Sequence, residues 1–88
     1  MSDTTITTAG YIVHDSEGVI HGLNSTAQGA WDDMLRTMRD AHILGGAEGM
    51  TIMPATAALL ACVDDRGGNV AWGKINGIAC TTEEEDAP

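Results

Sequence analysis

The sequence predicts an α+β fold, a mostly antiparallel sheet of four or five strands with two helices packed on one face. Three observations support this class. Short apolar segments alternate with polar residues, two segments carry tight-turn sequences, and one long segment repeats apolar residues at helical spacing. Together they give the element order β-β-α-β-α-β-β. With 88 residues the chain forms a single domain, 1–88, whose ends at 1–9 and 82–88 we expect to be flexible.

The first two strands are predicted to form a hairpin. Residues 11–14 and 19–23 flank Asp15-Ser16-Glu17-Gly18, and Asp at the first position with Gly at the fourth is typical of a type I turn. If His14 lies opposite Val19, alternate side chains point to opposite faces of the hairpin. The core face then carries Tyr11, Val13 and Ile20, and the outer face carries Ile12, His14, Val19 and His21.

The helix that follows has the clearest pattern. Ser25 and Gln28 have the spacing of a capping box with Ser25 as the N-cap, and Gly45-Gly46 is a typical helix stop. Between them, apolar residues recur every three or four positions and form one stripe that we expect to be buried. The stripe consists of Ala27, Ala30, Trp31, Met34, Leu35, Met38 and Ala41.

A third strand and a second helix come next. Residues 50–53 alternate as a short strand, and Pro54 either ends this strand or begins the segment that follows. Thr56 is a suitable N-cap for a helix over residues 57–66, and Gly67-Gly68 provides its C-terminal stop.

The chain closes with a second hairpin and an acidic tail. Residues 70–75 and 78–81 flank Asn76-Gly77, the dipeptide typical of a two-residue hairpin turn. In that register Trp72 faces outward, whereas a shift of one residue turns it inward, so both placements stay open. We expect residues 83–86 to be a solvated acidic tail.

Acidity is the strongest functional indication in the composition. Thirteen acidic and four basic residues give a formal net charge of −9, and carboxylates are rarely buried without a partner. The negative field disfavours direct binding to nucleic acid or to a membrane surface. It favours a basic protein, in particular one that itself binds nucleic acid. The alternative is that the acidic surface only keeps the protein soluble.

If both helices lie on one face of the sheet, their acidic residues form one extended negative surface. Carboxylates arranged in this way resemble nucleic acid phosphates, so a basic nucleic-acid channel would accept the protein as a decoy. Trp72 is a candidate apolar anchor for the same contact. The candidate partner-binding residues are Asp32, Asp33, Asp40, Asp64, Asp65 and Trp72.

No catalytic, cofactor or metal motif is visible in the sequence. The chain has no Walker glycine loop, no nucleophile elbow and no Cys-x-x-Cys. Cys62 and Cys80 lie in apolar surroundings that favour buried free thiols, although a disulfide between them stays open. His14 and His21 share a predicted face, but the sequence offers no third ligand nearby. We therefore predict no enzyme activity, no cofactor and no metal.

The sequence also predicts where the protein works. No apolar run approaches the roughly 20 residues of a membrane span, and Met1-Ser2-Asp3-Thr4-Thr5 lacks the features of a signal peptide. We expect a cytoplasmic monomer or homodimer that does not contact a membrane.

Four stretches of the C-terminal half carry a family resemblance: Pro54-Ala55-Thr56-Ala57-Ala58-Leu59, Gly67-Gly68, Trp72 and Gly77-Ile78-Ala79-Cys80-Thr81. They resemble small phage and prophage proteins of alphaproteobacterial type. In acidity, size and lack of catalytic motifs, the chain is similar to phage-encoded anti-CRISPR inhibitors. This resemblance implies stoichiometric inhibition of a bacterial CRISPR surveillance complex of type I (Cascade), by covering its basic DNA-binding surface, without a cofactor.

Two other functions are compatible with the sequence. The chain could be an oligomeric phage or prophage accessory protein, with Ile12, Val19 and Trp72 on a homodimer face. It could also be an antitoxin-like partner that neutralises a basic host protein.

Overall fold

The computed structural model of the protein describes residues 7–40 and 49–85. Within these ranges the fold is α+β, as predicted, with a five-stranded sheet and three helices. The predicted stop at Gly45-Gly46, together with Ala41, Asp86 and the side chain of Asp40, lies outside the described residues. The elements are β1 (Gly10–His14), β2 (Ile20–Asn24), α1 (Ala27–Asp40), β3 (Thr51–Ala55), α2 (Ala57–Arg66), β4 (Trp72–Ile75), β5 (Ile78–Thr81) and α3 (Thr82–Glu85).

The sheet is mixed. Its strand order is β2-β1-β3-β5-β4, and every pairing is antiparallel except β3 with β5, which is parallel. The ladder between β3 and β5 consists of one residue pair, Ala55 with Ala79. β3 includes Pro54, which lies opposite Tyr11 of β1, and ends at Ala55, so the strand extends beyond the predicted residues 50–53.

β1 lies inside the sheet and divides the core into two parts. Its consecutive residues Ile12 and Val13 are both fully buried, and consecutive side chains of a strand point to opposite faces. Ile12 packs with Leu59 of α2, whereas Val13 packs with Met34 of α1. The two long helices therefore cover opposite faces of the sheet, and the prediction that both lie on one face is wrong.

A β-bulge changes the register of the first hairpin. His14 lies opposite Ile20 and Val13 opposite Gly22, with the irregularity between Val13 and His14. The predicted pair of His14 with Val19 is therefore wrong, and Ile12 is in the core and not on the outer face. The turn itself is confirmed, because the Gly18 N–H donates to the Asp15 carbonyl at 3.1 Å.

The two long helices begin at threonines. In α1 the Thr26 hydroxyl accepts the Gly29 N–H at 3.0 Å, so Thr26 caps the helix, and the predicted Ser25 cap is wrong. Gln28 donates to Asp32 in the same helix and does not reach back to Ser25. In α2 the prediction is confirmed, because the Thr56 hydroxyl accepts the Leu59 N–H at 3.2 Å.

The ends of α2 and of the second hairpin also follow the sequence. Gly67 ends α2 with φ of 88°. Asn76 and Gly77 have φ of 54° and 80°, and Ile75 lies opposite Ile78, as in a two-residue turn with positive φ at both positions.

The segment before β4 returns to the first hairpin. The Gly68 carbonyl accepts the Ile20 N–H at 3.0 Å, and the Trp72 indole donates to the Gly18 carbonyl at 2.7 Å. These two bonds fix the path of the chain between α2 and β4. That path forms one wall of the groove described below.

The approach of α1 to β2 depends on a glycine, and this gives a testable prediction. A Cβ on Gly22 would overlap the Ala30 carbonyl oxygen and the Met34 nitrogen of α1. Gly22→Ala should therefore lower the free energy of unfolding by about 1–3 kcal/mol, measured by urea denaturation. Thr37→Ala on the exposed side of α1 is the control and should change it by less than about 0.5 kcal/mol. A Gly22→Ala protein as stable as the wild type would contradict this close packing.

Candidate functional site

A groove of about 950 Å³ between α2 and α3 is the main concave feature of the described residues. On the α2 side it is lined by residues spaced three and four apart, which form the helix face next to the buried Leu59 and Val63. Most of these side chains are small, and this leaves the space. The lining residues are Ala58, Ala61, Cys62, Asp65 and Arg66 of α2, Asn69, Val70 and Ala71 of the next segment, and Thr81, Thr82, Glu83 and Glu84.

α3 forms the second wall because its N-terminus carries a capping box. The Thr81 hydroxyl accepts the Glu84 N–H at 3.1 Å, and the Glu84 carboxylate accepts the Thr81 N–H at 3.0 Å. The expectation of a solvated tail is therefore wrong for residues 83–85, which are helical. Thr81 and Glu84 have capping-box spacing in the sequence, and this was the signal that could have identified the helix.

Glu84 also ties α3 to the start of α2. Its Oε1 accepts the Thr56 hydroxyl at 2.6 Å, and Thr56 is 4% exposed. Burial by itself raises the pKa of Glu84, but the hydrogen bonds from Thr56 and Thr81 outweigh it and hold the pKa below the usual value. Glu84 is thus an ionised residue with a structural role.

Glu85 and Glu83 differ in what they contact. The Glu85 carboxylate accepts the Lys74 backbone N–H at 3.1 Å and lies against Gly73, where a Cβ would collide with it. Glu85 therefore binds the backbone of the edge strand β4. The Glu83 side chain is exposed beside the groove.

The two predicted aspartates of α2 lie at this site. Asp64 and Asp65 are both exposed, and Asp65 lines the groove whereas Asp64 does not. Arg66 contacts Asp65 loosely, with 3.9 Å between Nε and Oδ2. An exposed ion pair at this distance contributes little stability and does not occupy the Asp65 carboxylate. The carboxylates of Asp64 and Asp65 therefore both remain available to a partner.

The predicted aspartates of α1 lie elsewhere. Because α1 and α2 cover opposite faces of the sheet, the two aspartate pairs do not form the single surface that the sequence led us to expect. Asp33 is largely structural, since its carboxylate accepts the Leu23 backbone N–H at 3.1 Å and pairs with Arg36 at 2.8 Å. Asp32 is exposed and accepts the Gln28 amide.

Trp72 faces inward. It is half-buried, packs against the core cluster of α2, and lies with its ring centroid 5.0 Å from that of His14. Since its indole N–H is also bound to Gly18, we leave it out of the candidate contact surface.

The two predicted hairpin histidines both bind Asp15. His21 Nε2 lies 2.9 Å from the Asp15 carboxylate, and His14 Nδ1 lies 2.8 Å from its carbonyl oxygen. The His21 hydrogen bond, followed by those from the Val19 and Glu17 N–H groups, lowers the pKa of Asp15. The described residues contain no group of three or more His, Cys, Asp or Glu side chains arranged to hold a metal ion.

The two cysteines are free thiols in different environments. Cys62 is half-buried and lines the groove. Cys80 is fully buried, and burial, with a smaller effect of the charges on Glu84 and Glu85, raises the pKa of its thiol.

Comparisons with protein-family models, with curated proteins and with solved structures find no match to this chain. Among the described residues, no helix has the length and apolar character that crossing a membrane requires.

The contacts of Glu84 predict an acid-dependent loss of stability. Because its folded pKa lies below the ordinary 4.5, its contribution is complete above that pH and is lost as the pH falls below it. Glu84→Gln should lower the free energy of unfolding by about 1 kcal/mol near neutral pH, with a smaller difference in acid. Urea denaturation across pH, with Glu83→Gln as the exposed control, tests this. A constant difference between wild type and Glu84→Gln at every pH would contradict it.

The thiols should differ in reactivity. In the native protein iodoacetamide should modify Cys62 much faster than Cys80, because Cys80 is buried and its pKa is raised. Mass spectrometry of the digested protein locates the label, and Cys62→Ser should leave the native protein nearly unreactive. Equal labelling of both thiols before unfolding would show that the interior around Cys80 is open.

Proposed function

We propose that this protein is a non-enzymatic inhibitor that binds a basic, nucleic-acid-recognising protein surface through the acidic side of α2 and α3. One observation supports this most directly. Asp64, Asp65 and Glu83 are exposed on the two helices that flank the groove, and Arg66 lines the groove with Asp65 and Glu83. In a chain with net charge −9, this face has carboxylates whose positions are not explained by a role in the fold.

The rigidity of the two helices supports a protein partner. α2 is capped at both ends, and α3 is held to it through Glu84 and Thr56. Carboxylates on such supports keep fixed spacings, which a basic surface can match, and their field speeds association. The proposed inhibitor acts by covering a surface, so the proposed action is stoichiometric.

The proposed target is a CRISPR surveillance complex of type I (Cascade). This part of the proposal depends on the resemblance of the C-terminal stretches to small phage proteins of the anti-CRISPR type. In such a complex the acidic face would occupy the basic path that target DNA follows, so that DNA and inhibitor exclude each other.

Two of the residues predicted to form a homodimer face are not exposed for such a contact. Ile12, which the sequence placed on the dimer face, is fully buried, and Trp72 is turned inward. Within residues 7–40 and 49–85, the exposed large hydrophobic residues are Leu35 of α1 and Ile52 of β3. They are not the residues from which that alternative was built, so we do not pursue it.

A charge-reversal series on a purified type I surveillance complex tests the proposal. The wild-type protein should bind the complex, prevent its binding to target DNA, and dissociate as salt is raised. Asp64→Lys with Asp65→Lys should weaken binding about tenfold or more and reduce its salt dependence. Asp32→Lys on α1 is the control and should have a much smaller effect. Asp33 is avoided, because its contact with Leu23 makes it part of the fold.

Two results would count against the proposal. If the complex does not bind the wild-type protein at low salt, the proposed target is wrong. If Asp32→Lys weakens binding as much as the α2 double reversal, the acidic face of α2 and α3 is not the contact. Capture of a different basic protein would favour the antitoxin-like alternative.

A further inference from the structure

We infer that the groove between α2 and α3 receives a segment of the partner protein in which an apolar side chain is flanked by lysines or arginines. This inference rests on the proposed function, because it assigns a place on the acidic face where the partner chain enters. The groove volume of about 950 Å³ is at the upper end of small-molecule sites.

The floor of the groove favours an apolar side chain. Ala58, Ala61 and Cys62 of α2 face Val70 and Ala71 across it, and none of these side chains carries a charge. Covering such a floor removes apolar surface from water, which contributes to binding in any salt concentration. A purely ionic contact would leave this apolar surface exposed to water. The segment that binds in the groove is therefore amphipathic and not uniformly basic.

The charged residues at the rim of the groove favour a partner segment with positive charge. Asp65, Glu83 and Glu84 line it with Arg66, so carboxylates outnumber cations. One oxygen of Glu84 is occupied by Thr56 and Thr81, which leaves Asp65 and Glu83 as the fully exposed carboxylates on opposite walls. A lysine or arginine on each side of the apolar residue can pair with one of them, whereas nucleic acid and acidic peptides are repelled.

The positive charge of Arg66 repels the same basic segment. Its side chain is 74% exposed, and its only contact with Asp65 in the structure is at 3.9 Å. A basic segment has to approach this guanidinium as it binds Asp65, which costs affinity. Replacing Arg66 by glutamine should therefore strengthen binding, an effect opposite to that of the carboxylate variants.

Fluorescence anisotropy with a short labelled peptide tests the inference. The probe carries arginines on both sides of one leucine, and a second peptide has serine in place of the leucine. Asp65→Asn and Glu83→Gln should each weaken binding of the leucine peptide about two- to fivefold, and Arg66→Gln should strengthen it about twofold. Asp32→Asn is the control, because it removes an exposed carboxylate of α1 that does not line the groove.

Filling the groove tests its apolar floor separately. Ala61→Trp places a large ring over the floor and should weaken binding of the leucine peptide at least tenfold. Ala57→Trp is the matched control, an exposed position of the same helix that does not line the groove. The leucine peptide should also slow alkylation of Cys62, whereas the serine peptide should bind more weakly and protect it less.

The outcomes separate this inference from the proposed function. If the leucine peptide binds with equal affinity to the Asp65→Asn and Asp32→Asn proteins, and Ala61→Trp has no effect, the groove is not the entry site. The surveillance complex can still respond to charge reversal on α2 in that case, and the proposed function then stands without the groove. If the leucine peptide does not bind the wild-type protein at all, the inference is overturned, whatever the complex does.

Discussion

The contact between β3 and β5 is the constraint on which the rest of the structure depends. It joins the part formed by β1, β2, α1 and β3 to the part formed by α2, β4, β5 and α3, and its ladder is one pair, Ala55 with Ala79. Thr56 reinforces this contact, because its N–H donates to the Ala79 carbonyl at 2.9 Å and its hydroxyl donates to Glu84. A buried hydroxyl without these partners would cost about 1–3 kcal/mol.

The groove is a consequence of the same contact. Thr56 fixes the first turn of α2, and the Glu84 carboxylate that accepts its hydroxyl fixes α3 beside it. The helices are thus held together at one end, while the small side chains of Ala58 and Ala61 keep the space between them open. The segment after Gly68 forms the third wall of the groove, and the hydrogen bond from the Ile20 N–H to the Gly68 carbonyl holds this segment to the first hairpin.

Local sequence patterns predicted local structure well, and failed where distant parts of the chain decide. The Thr56 cap and the Asn76-Gly77 turn are short-range features, and both are present. The pairing register of the first hairpin depends on a bulge between Val13 and His14, whose position no local pattern fixes. Ile12 was expected on an outer face because both helices were placed on the other face, whereas β1 lies inside a sheet that is covered on both faces. Ile12 and Val13 are both buried, on opposite faces of β1, so one helix covers each face of the sheet. The aspartates of α1 and those of α2 are therefore separated.

The net charge alone would have overstated the functional surface, because the fold itself uses several carboxylates. Asp15, Asp33, Glu84 and Glu85 each accept a backbone N–H, so each would be required even in a protein without an acidic partner. Among the helix side chains that the structure describes, the carboxylates for which it shows no such backbone contact are those of Asp64 and Asp65 on α2, Glu83 on α3 and Asp32 on α1. On α2 and α3 the exposed carboxylates of Asp65 and Glu83 flank a groove with an apolar floor, and this combination supports the proposal of a partner there over an acidic surface that serves only solubility.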